Sequence, residues 1–400
     1  MPNDQDATGR SFGPEELEAV AAVLASGTLT STKGEVVKSL QSAFAALMGV
    51  GHALACSSGT SAVQAAVQVV DPEPGDEIIT SPITDMGAIA PILYQTAIPV
   101  FADVDPSTGN VTAESVAARL SPRTKAVIVT HLFGNPVDTE AVRRVTDAAG
   151  VTMIEDCAQA FLASSHGRLA GTVGHIGTFS LQQGKHITTG EGGLVITDDD
   201  AAARRILLWI NKAWPYGEPS PDHEFLALNA RMSELQGAVA LAQLGRLRET
   251  VEQRISMSER LSKSLDGLPG LITPAPPADS VHAFWRYPIL FDPSTVEGGP
   301  NGVAADLKDL GIGSAPRYIQ KPAFRCAVFT EQRTFGSSRF PFTHASPEAL
   351  DYSADRYPGT FAFLDHVLVL PWNERLEEAH IDRLADAISG SVMKRAGLQP

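Results

Sequence analysis

The sequence predicts an α/β protein with a mostly parallel central sheet flanked by helices. Short apolar runs of strand character alternate with stretches of helical spacing through the first two thirds of the chain. Polar and small residues capable of chemistry collect at the ends of these runs. Open α/β sheets bind their ligands at such carboxyl ends.

Taken in order, Pro14, Glu15 and Glu16 open a run with apolar residues at helical spacing, and Gly27 stops it. Ala53-Leu54-Ala55-Cys56 reads as a short buried strand. Ser57-Ser58-Gly59-Thr60 then turns into the apolar helix Ser61-Ala62-Val63-Gln64-Ala65-Ala66-Val67. Further strand-like runs stand at residues 77–80, 98–101, 126–130, 152–154, 177–180 and 193–196. Residues 211–228, with Trp214, Pro215, Tyr216, Pro219 and Pro221, form a long loop. It is either a functional segment at a subunit boundary near a substrate mouth, or a mobile surface loop. Residues 233–265 carry one long helical pattern leading out of the large unit. The remainder offers strands at 285–291 and 367–370 and helices at 303–310 and 377–387. These divide the chain into a large domain, residues 1–265, and a small α+β domain, residues 266–400.

Composition narrows the function. The 400 residues, 44% hydrophobic and 19% charged, suffice for a large core. With 31 Lys and Arg against 46 Asp and Glu, a net charge of −15 cannot make a broadly basic surface. Nucleic acid and anionic membranes are therefore not expected partners. Three cysteines without metal-ligand spacing suit reduced thiols and predict no metal centre; Cys157 reads as a packing residue. The polar, acidic amino terminus lacks the regions of a secretory signal, and no apolar run approaches bilayer length, so a cytoplasmic location is expected. Gly171-Thr172-Val173-Gly174 and Gly190-Glu191-Gly192-Gly193 lack the strand, G-x-G-x-x-G, helix order of a dinucleotide site. Tight turns explain these glycines better.

The richest segment is Phe179-Ser180-Leu181-Gln182-Gln183-Gly184-Lys185-His186, closing on Gly190-Glu191-Gly192-Gly193 and preceded by the strand end Met153-Ile154-Glu155-Asp156. A lysine between an apolar strand and a glycine-dense turn, with an acid ending another strand, is the arrangement that holds pyridoxal phosphate as a Schiff base. Lys185 would bond the aldehyde, and Asp156 would keep the pyridine nitrogen protonated. The ordinary alternatives are a solvated surface lysine and a capping aspartate. The small residues Ser58, Gly59 and Thr60 leave helix-start N–H groups free to face an anion, although an ordinary N-cap has the same composition.

These blocks have company: Gly75-Asp76-Glu77-Ile78-Ile79-Thr80, Pro99-Val100-Phe101-Ala102-Asp103-Val104-Asp105-Pro106, Arg123-Thr124-Lys125-Ala126, His131-Leu132-Phe133-Gly134, Asp156-Cys157-Ala158-Gln159-Ala160 and Asn229-Ala230-Arg231-Met232-Ser233-Glu234-Leu235-Gln236. In their order and spacing, across most of its length, the chain resembles the DegT/StrS-like (DegT/DnrJ-type) sugar aminotransferases, fold-type I pyridoxal phosphate enzymes. The resemblance implies that Lys185 is the Schiff-base lysine and proton shuttle, Asp156 the partner of the pyridine nitrogen, and Gln159 a contact on the phenolic-oxygen side. It assigns the phosphate to Gly59, Thr60 and Ser180, with Ser58 and Gln182 alongside. Asn229 would complete that site from the neighbouring subunit, which implies a homodimer. Candidate substrate contacts are His131, Arg231, Trp214 and Tyr318; His131 reads equally as a structural histidine and Arg231 as a helix-start ion pair. Arg317, Lys321 and the turn Pro371-Trp372-Asn373-Glu374 could also face the cleft.

The chain departs from its relatives in three places. Asp85 stands where many have an aromatic ring stacked on the cofactor, leaving that face to Asp85 or Met86. Ala230 replaces a usual tyrosine. Gln182-Gln183 stands where several nucleotide-sugar aminotransferases have a histidine, and paired glutamines occur in relatives acting on cyclitols. The implied reaction moves an amino group from L-glutamate or L-glutamine to a ketone on a sugar, nucleotide-linked sugar or cyclitol, in aminosugar, antibiotic or cell-surface sugar biosynthesis. A dehydratase-like enzyme and a non-catalytic cofactor-binding sensor are the alternatives, and Lys185 speaks against the dehydratase, which typically has histidine there.

Overall fold

The computed structural model describes residues 1–398. Along the chain come β1 (His52–Cys56), β2 (Glu77–Thr80), β3 (Ile98–Phe101), β4 (Thr124–Thr130) and β5 (Thr152–Asp156). A small hairpin follows, β6 (Ser164–Ser165) and β7 (Arg168–Leu169), then β8 (Ile176–Ser180) and β9 (Gly193–Thr197). Among the described residues the larger sheet has seven strands in the order β1-β9-β8-β5-β4-β2-β3. Every pairing is parallel except the two that β9 makes, with β1 and with β8.

Strand alternation sorts the side chains onto two faces. Val127 and Val129 of β4 join one core with Met153 of β5, whereas Ala126, Ile128 and Ile154 join the opposite one. On β9, Leu194 and Ile196 likewise face away from Val195. The Leu194 face is closed by Phe44 of the helix Val36–Met48, whose ring meets Phe179 edge-on at 5.1 Å and Phe161 at 6.1 Å.

The first helix, Pro14–Ser26, begins at its proline and ends at Gly27, which takes the left-handed conformation at φ 69°. The pattern at 233–265 is not one helix but two, Glu234–Leu244 and Leu247–Ser264. The break falls at Gly245-Arg246, where glycine weakens the helix and the Arg246 guanidinium turns toward Glu16 and the Ser11 carbonyl. The last helix runs on to Arg395, beyond the expected end near 387, because Ile388 and Val392 continue its buried stripe.

The second sheet holds β10 (Leu271–Ile272), β11 (Arg286–Phe291), β12 (Ala315–Pro316) and β13 (Val367–Pro371) in the antiparallel order β10-β11-β13-β12. On β13, Leu368 and Leu370 pack beneath the helices Gly299–Asp309 and Glu378–Arg395, whereas Val367 and Val369 join the core of the larger sheet. The short turns of residues 318–357 were not resolved by sequence reading. They set Phe324, Phe329 and Phe342 against Phe101 at the β3 edge. Among the described residues no helix is long and apolar enough to cross a membrane.

Phe44→Ala removes a fully buried ring from the three-ring cluster beside β8 and is expected to cost about 3–5 kcal/mol of stability. Equilibrium urea unfolding measures this.

Candidate active site

Two consecutive acids end β5, and strand alternation sends them to opposite sides. Glu155 points into the loop after β7, where its oxygens accept N–H bonds from Gly171 (2.8 Å), Val173 (2.9 Å) and Gly174 (2.5 Å). The same carboxylate meets His131 Nε2 at 3.0 Å. Burial pushes the Glu155 pKa up, but the hydrogen bond to His131 and the backbone donors outweigh it and hold the carboxyl below its usual range. His131 Nδ1 accepts the Val137 N–H at 3.1 Å, which leaves the proton on Nε2. Fully buried and spent at both nitrogens, His131 does not reach the cleft; the substrate role suggested for it gives way to a structural one. Cys157 also lies within 4.8 Å of these groups, and its thiol donates to the Glu155 carbonyl at 3.8 Å. This is a hydrogen-bonded polar core.

Asp156 faces a cleft of about 620 Å³. Its Oδ1 accepts the Ala158 N–H at 3.1 Å, and burial pushes its pKa up against the opposing pull of that bond and of Lys185. A buried carboxylate with so little compensation is suited to a cationic or N–H partner entering the cleft. Lys185 stands on the same cleft, half-buried, its amine 4.2 Å from the Trp285 ring centroid. Desolvation lowers its pKa to about 8, with Asp156 resisting and Arg286 adding to the fall. The Trp285 indole N–H donates to the Gly184 carbonyl at 2.6 Å, so the residue before the lysine is held by the ring that the lysine touches.

At one end of the cleft the helix Gly59–Val70 presents its start. The first N–H groups of a helix have no partners within it and attract anions. Ser58 Oγ accepts the Ser61 N–H at 3.0 Å and shapes this start. Ser180, ending β8, lies so close that a Cβ on Gly59 would stand 2.6 Å from the Ser180 Cβ. Ser58, Gly59, Thr60 and Ser180 thus form a cup of hydroxyls and N–H groups that fits a phosphate. Asp85 and Met86 line the adjoining wall; Asp85 Oδ1 accepts the Gly87 N–H at 2.7 Å. Gln159 and Gln182 also line it. Their Oε1 atoms accept from Phe133 N (2.6 Å) and Gly184 N (2.8 Å), leaving each side-chain NH2 to donate. Lysine, acid and anion cup fit pyridoxal phosphate by their donor chemistry.

Across the mouth come Tyr318, Lys321 and Cys326. The other candidates lie elsewhere on this chain. Arg231 reaches Asn211 Oδ1 at 3.4 Å, Asn229 is exposed and pairs with Asn211 through the backbone, and Trp214 packs on His223 at 4.9 Å. Arg317 pairs with Asp365 at the surface. The turn after β13 does not face the cleft, because Trp372 is buried with its indole N–H on the Arg254 carbonyl and Glu374 pairs with Arg254 at 2.7 Å. Sequence reading missed Trp285, which lies a hundred positions from Lys185. It also missed Asp4 and Arg10, buried in a segment that reads as merely polar and acidic. No spacing pattern links either to the lysine.

The fold and the cleft together define a pyridoxal phosphate-dependent aminotransferase. The chain belongs to the DegT/DnrJ/EryC1/StrS aminotransferase family, whose sequence profile matches residues 11–389. It is 34% identical over 294 residues to a GDP-perosamine synthase of Caulobacter vibrioides, covering 73% of this chain and 78% of that one. It is 30% identical over 396 residues to the spore coat polysaccharide biosynthesis protein SpsC of Bacillus subtilis, with 95% of each covered. The aminotransferase of Psychrobacter cryohalolentis, solved by X-ray, superposes with a TM-score of 0.83 at 28% identity, covering 97% of this chain and 98% of that one.

Gly59→Ala should leave the protein folded but weaken cofactor binding at least about tenfold, since the added methyl must push Ser180 aside; absorbance titration with pyridoxal phosphate reads this. His131→Ala should instead lower stability by about 1.5–3 kcal/mol, the worth of a buried hydrogen bond to a charged group, measured by denaturant unfolding.

Proposed function

We propose that this aminotransferase uses pyridoxal 5'-phosphate to carry an amino group from L-glutamate or L-glutamine to a ketone on a sugar, nucleotide-linked sugar or cyclitol. The reading rests on one observation: Lys185, Asp156 and the helix-start cup share a single cleft. Relatives named for GDP-perosamine synthesis and for spore coat polysaccharide favour a sugar as acceptor, and hence a role in aminosugar formation.

When bound, pyridoxal phosphate supplies an electrophilic aldehyde and an electron-accepting ring. The protein's residues do the rest. Ser58, Gly59, Thr60 and Ser180 hold the phosphate, and Asp156 keeps a proton on the ring nitrogen. Gln159 and Gln182 donate toward the ring and substrate, while Asp85 and Met86 form the wall that an aromatic ring supplies in other members. Desolvation brings the Lys185 pKa down to about 8, so its amine gives up a proton more readily than an exposed lysine would. Lys185 would thus serve as the nucleophile toward the aldehyde and as the group that moves the donor's α-proton. Two half-reactions sharing one lysine predict ping-pong kinetics.

Asn229, Arg231 and Trp214 do not line this chain's cleft, which suits residues that serve the site of a second copy. In the proposed homodimer Asn229 completes the partner's phosphate cup and Arg231 receives the donor's carboxylate in a forked contact. Tyr318 closes over the acceptor.

Lys185→Ala should abolish turnover while leaving the melting temperature nearly unchanged. In the wild type, pyridoxal phosphate should give a visible absorbance band that glutamate shifts; a band that glutamate leaves unmoved would mark a sensor rather than a transaminase. Mixing Lys185→Ala with Asn229→Ala subunits separates a shared site from a private one. If the site is shared, the hybrid dimer concentrates both defects in one cleft and frees the other, so activity recovers toward a quarter of wild type; a mixture no more active than its parts contradicts it.

A further inference from the structure

Residues 2–10 fold back over the loop that carries Lys185. Asp4 and Arg10 are each 4% exposed, a rare state for charged residues at a chain terminus. Arg10 donates to the Lys185 carbonyl at 2.7 Å, to the Asp4 carbonyl at 3.0 Å and to the carbonyl of Gln183, and Gln183 Nε2 donates to Asp4 O at 3.1 Å. The segment is thus tied to the lysine loop by its backbone.

Its charge reaches the lysine by a second route. Two cations lie over the Trp285 ring: the Lys185 amine at 4.2 Å and the Arg286 guanidinium at 4.4 Å from its centroid. Like charges over one indole repel each other unless an anion offsets one of them. Asp4 is that anion, 2.7 Å from Arg286 Nη1.

We propose that Asp4 and Arg286 are positioning residues for the lysine. Asp4 neutralises Arg286 so that Trp285 and the Lys185 amine share the floor of the cleft, and the pair sets how readily that amine gives up its proton. The amino-terminal segment then acts on the site indirectly, through Arg286 and the loop that carries Lys185. This inference rests on Lys185 being the lysine that bonds the cofactor.

Other charged groups surround Lys185, and Glu191 and Lys321 line the same cleft further out. Asp156 of β5 and Asp85 face it across the cleft and favour the protonated amine, as Asp4 does, while Arg286 disfavours it. His186, next in the chain, is buried with its pKa far below the usual histidine range and stays neutral. Arg10 and Arg254 lie behind, both paired with Glu374, at 3.7 and 2.7 Å. Removing the Asp4 charge leaves Arg286 unopposed and must lower the Lys185 pKa; removing the Arg286 charge must raise it.

The test follows reductive methylation of Lys185 against pH in the cofactor-free protein, by peptide mass spectrometry, with melting curves to confirm folding. Asp4→Asn is expected to move the midpoint down by about half a unit or more and Arg286→Met to move it up by a similar amount, with the double variant returning toward wild type. Arg286→Lys, which keeps the charge, should stay near wild type even if it melts earlier. Shifts of the same sign in both single variants, no shift in either, or Arg286→Lys behaving as Arg286→Met would overturn the proposal. Protection of Lys185 from the reagent by pyridoxal phosphate tests the cofactor role separately, so one result can fail without the other.

Discussion

Desolvation of charge is the constraint on which the centre of this protein depends. Lys185 and Asp156 are set into a low-dielectric cleft where each disfavours its own ionised form, and each is partly restored by the other. Elsewhere in the core the same cost is met by hydrogen bonds: Glu155 has three backbone donors and an imidazole. The contrast between satisfied and under-satisfied buried charge separates scaffold from site.

The contrast begins in the sequence as a two-residue unit. Glu155 and Asp156 are adjacent, chemically alike, and sent to opposite sides by strand alternation. One anchors the loop of residues 171–174 and, through His131, the end of β4. The other is left facing the cleft. Stability and chemistry are thus assigned by the parity of a strand position.

Much of the larger sheet was legible because its signals are local. Buried runs of Val, Ile and Ala, a serine before a helix start and a glycine after a helix end each act within a few residues, and Asp156, Ser180 and Gly59 fall where those elements end. His131 shows the limit: its position at the end of β4 fits a site residue and a core residue alike, and only the Glu155 and Val137 contacts decide. The loop at 211–228 is legible from its prolines, but the placing of Asn229 in a neighbouring subunit's site comes from family likeness alone, because nothing in its local sequence signals a second copy. Trp285, Asp4 and Arg10 come to Lys185 from far along the chain through tertiary packing, and neither periodicity nor motif encodes such meetings. The gap at Gly245 was visible as a residue type, but helical spacing on both sides concealed it.

The double-sided packing of β13 bears on how molecules enter and leave. Because Val367 and Val369 are embedded in the larger sheet's hydrophobic layer while Leu368 and Leu370 belong to the outer one, the carboxyl-terminal lobe cannot hinge away without tearing a continuous apolar seam. The stretch of cavity wall at residues 318–326 stands on short turns outside that seam, so substitutions there can reshape the cavity while the framework beneath stays fixed.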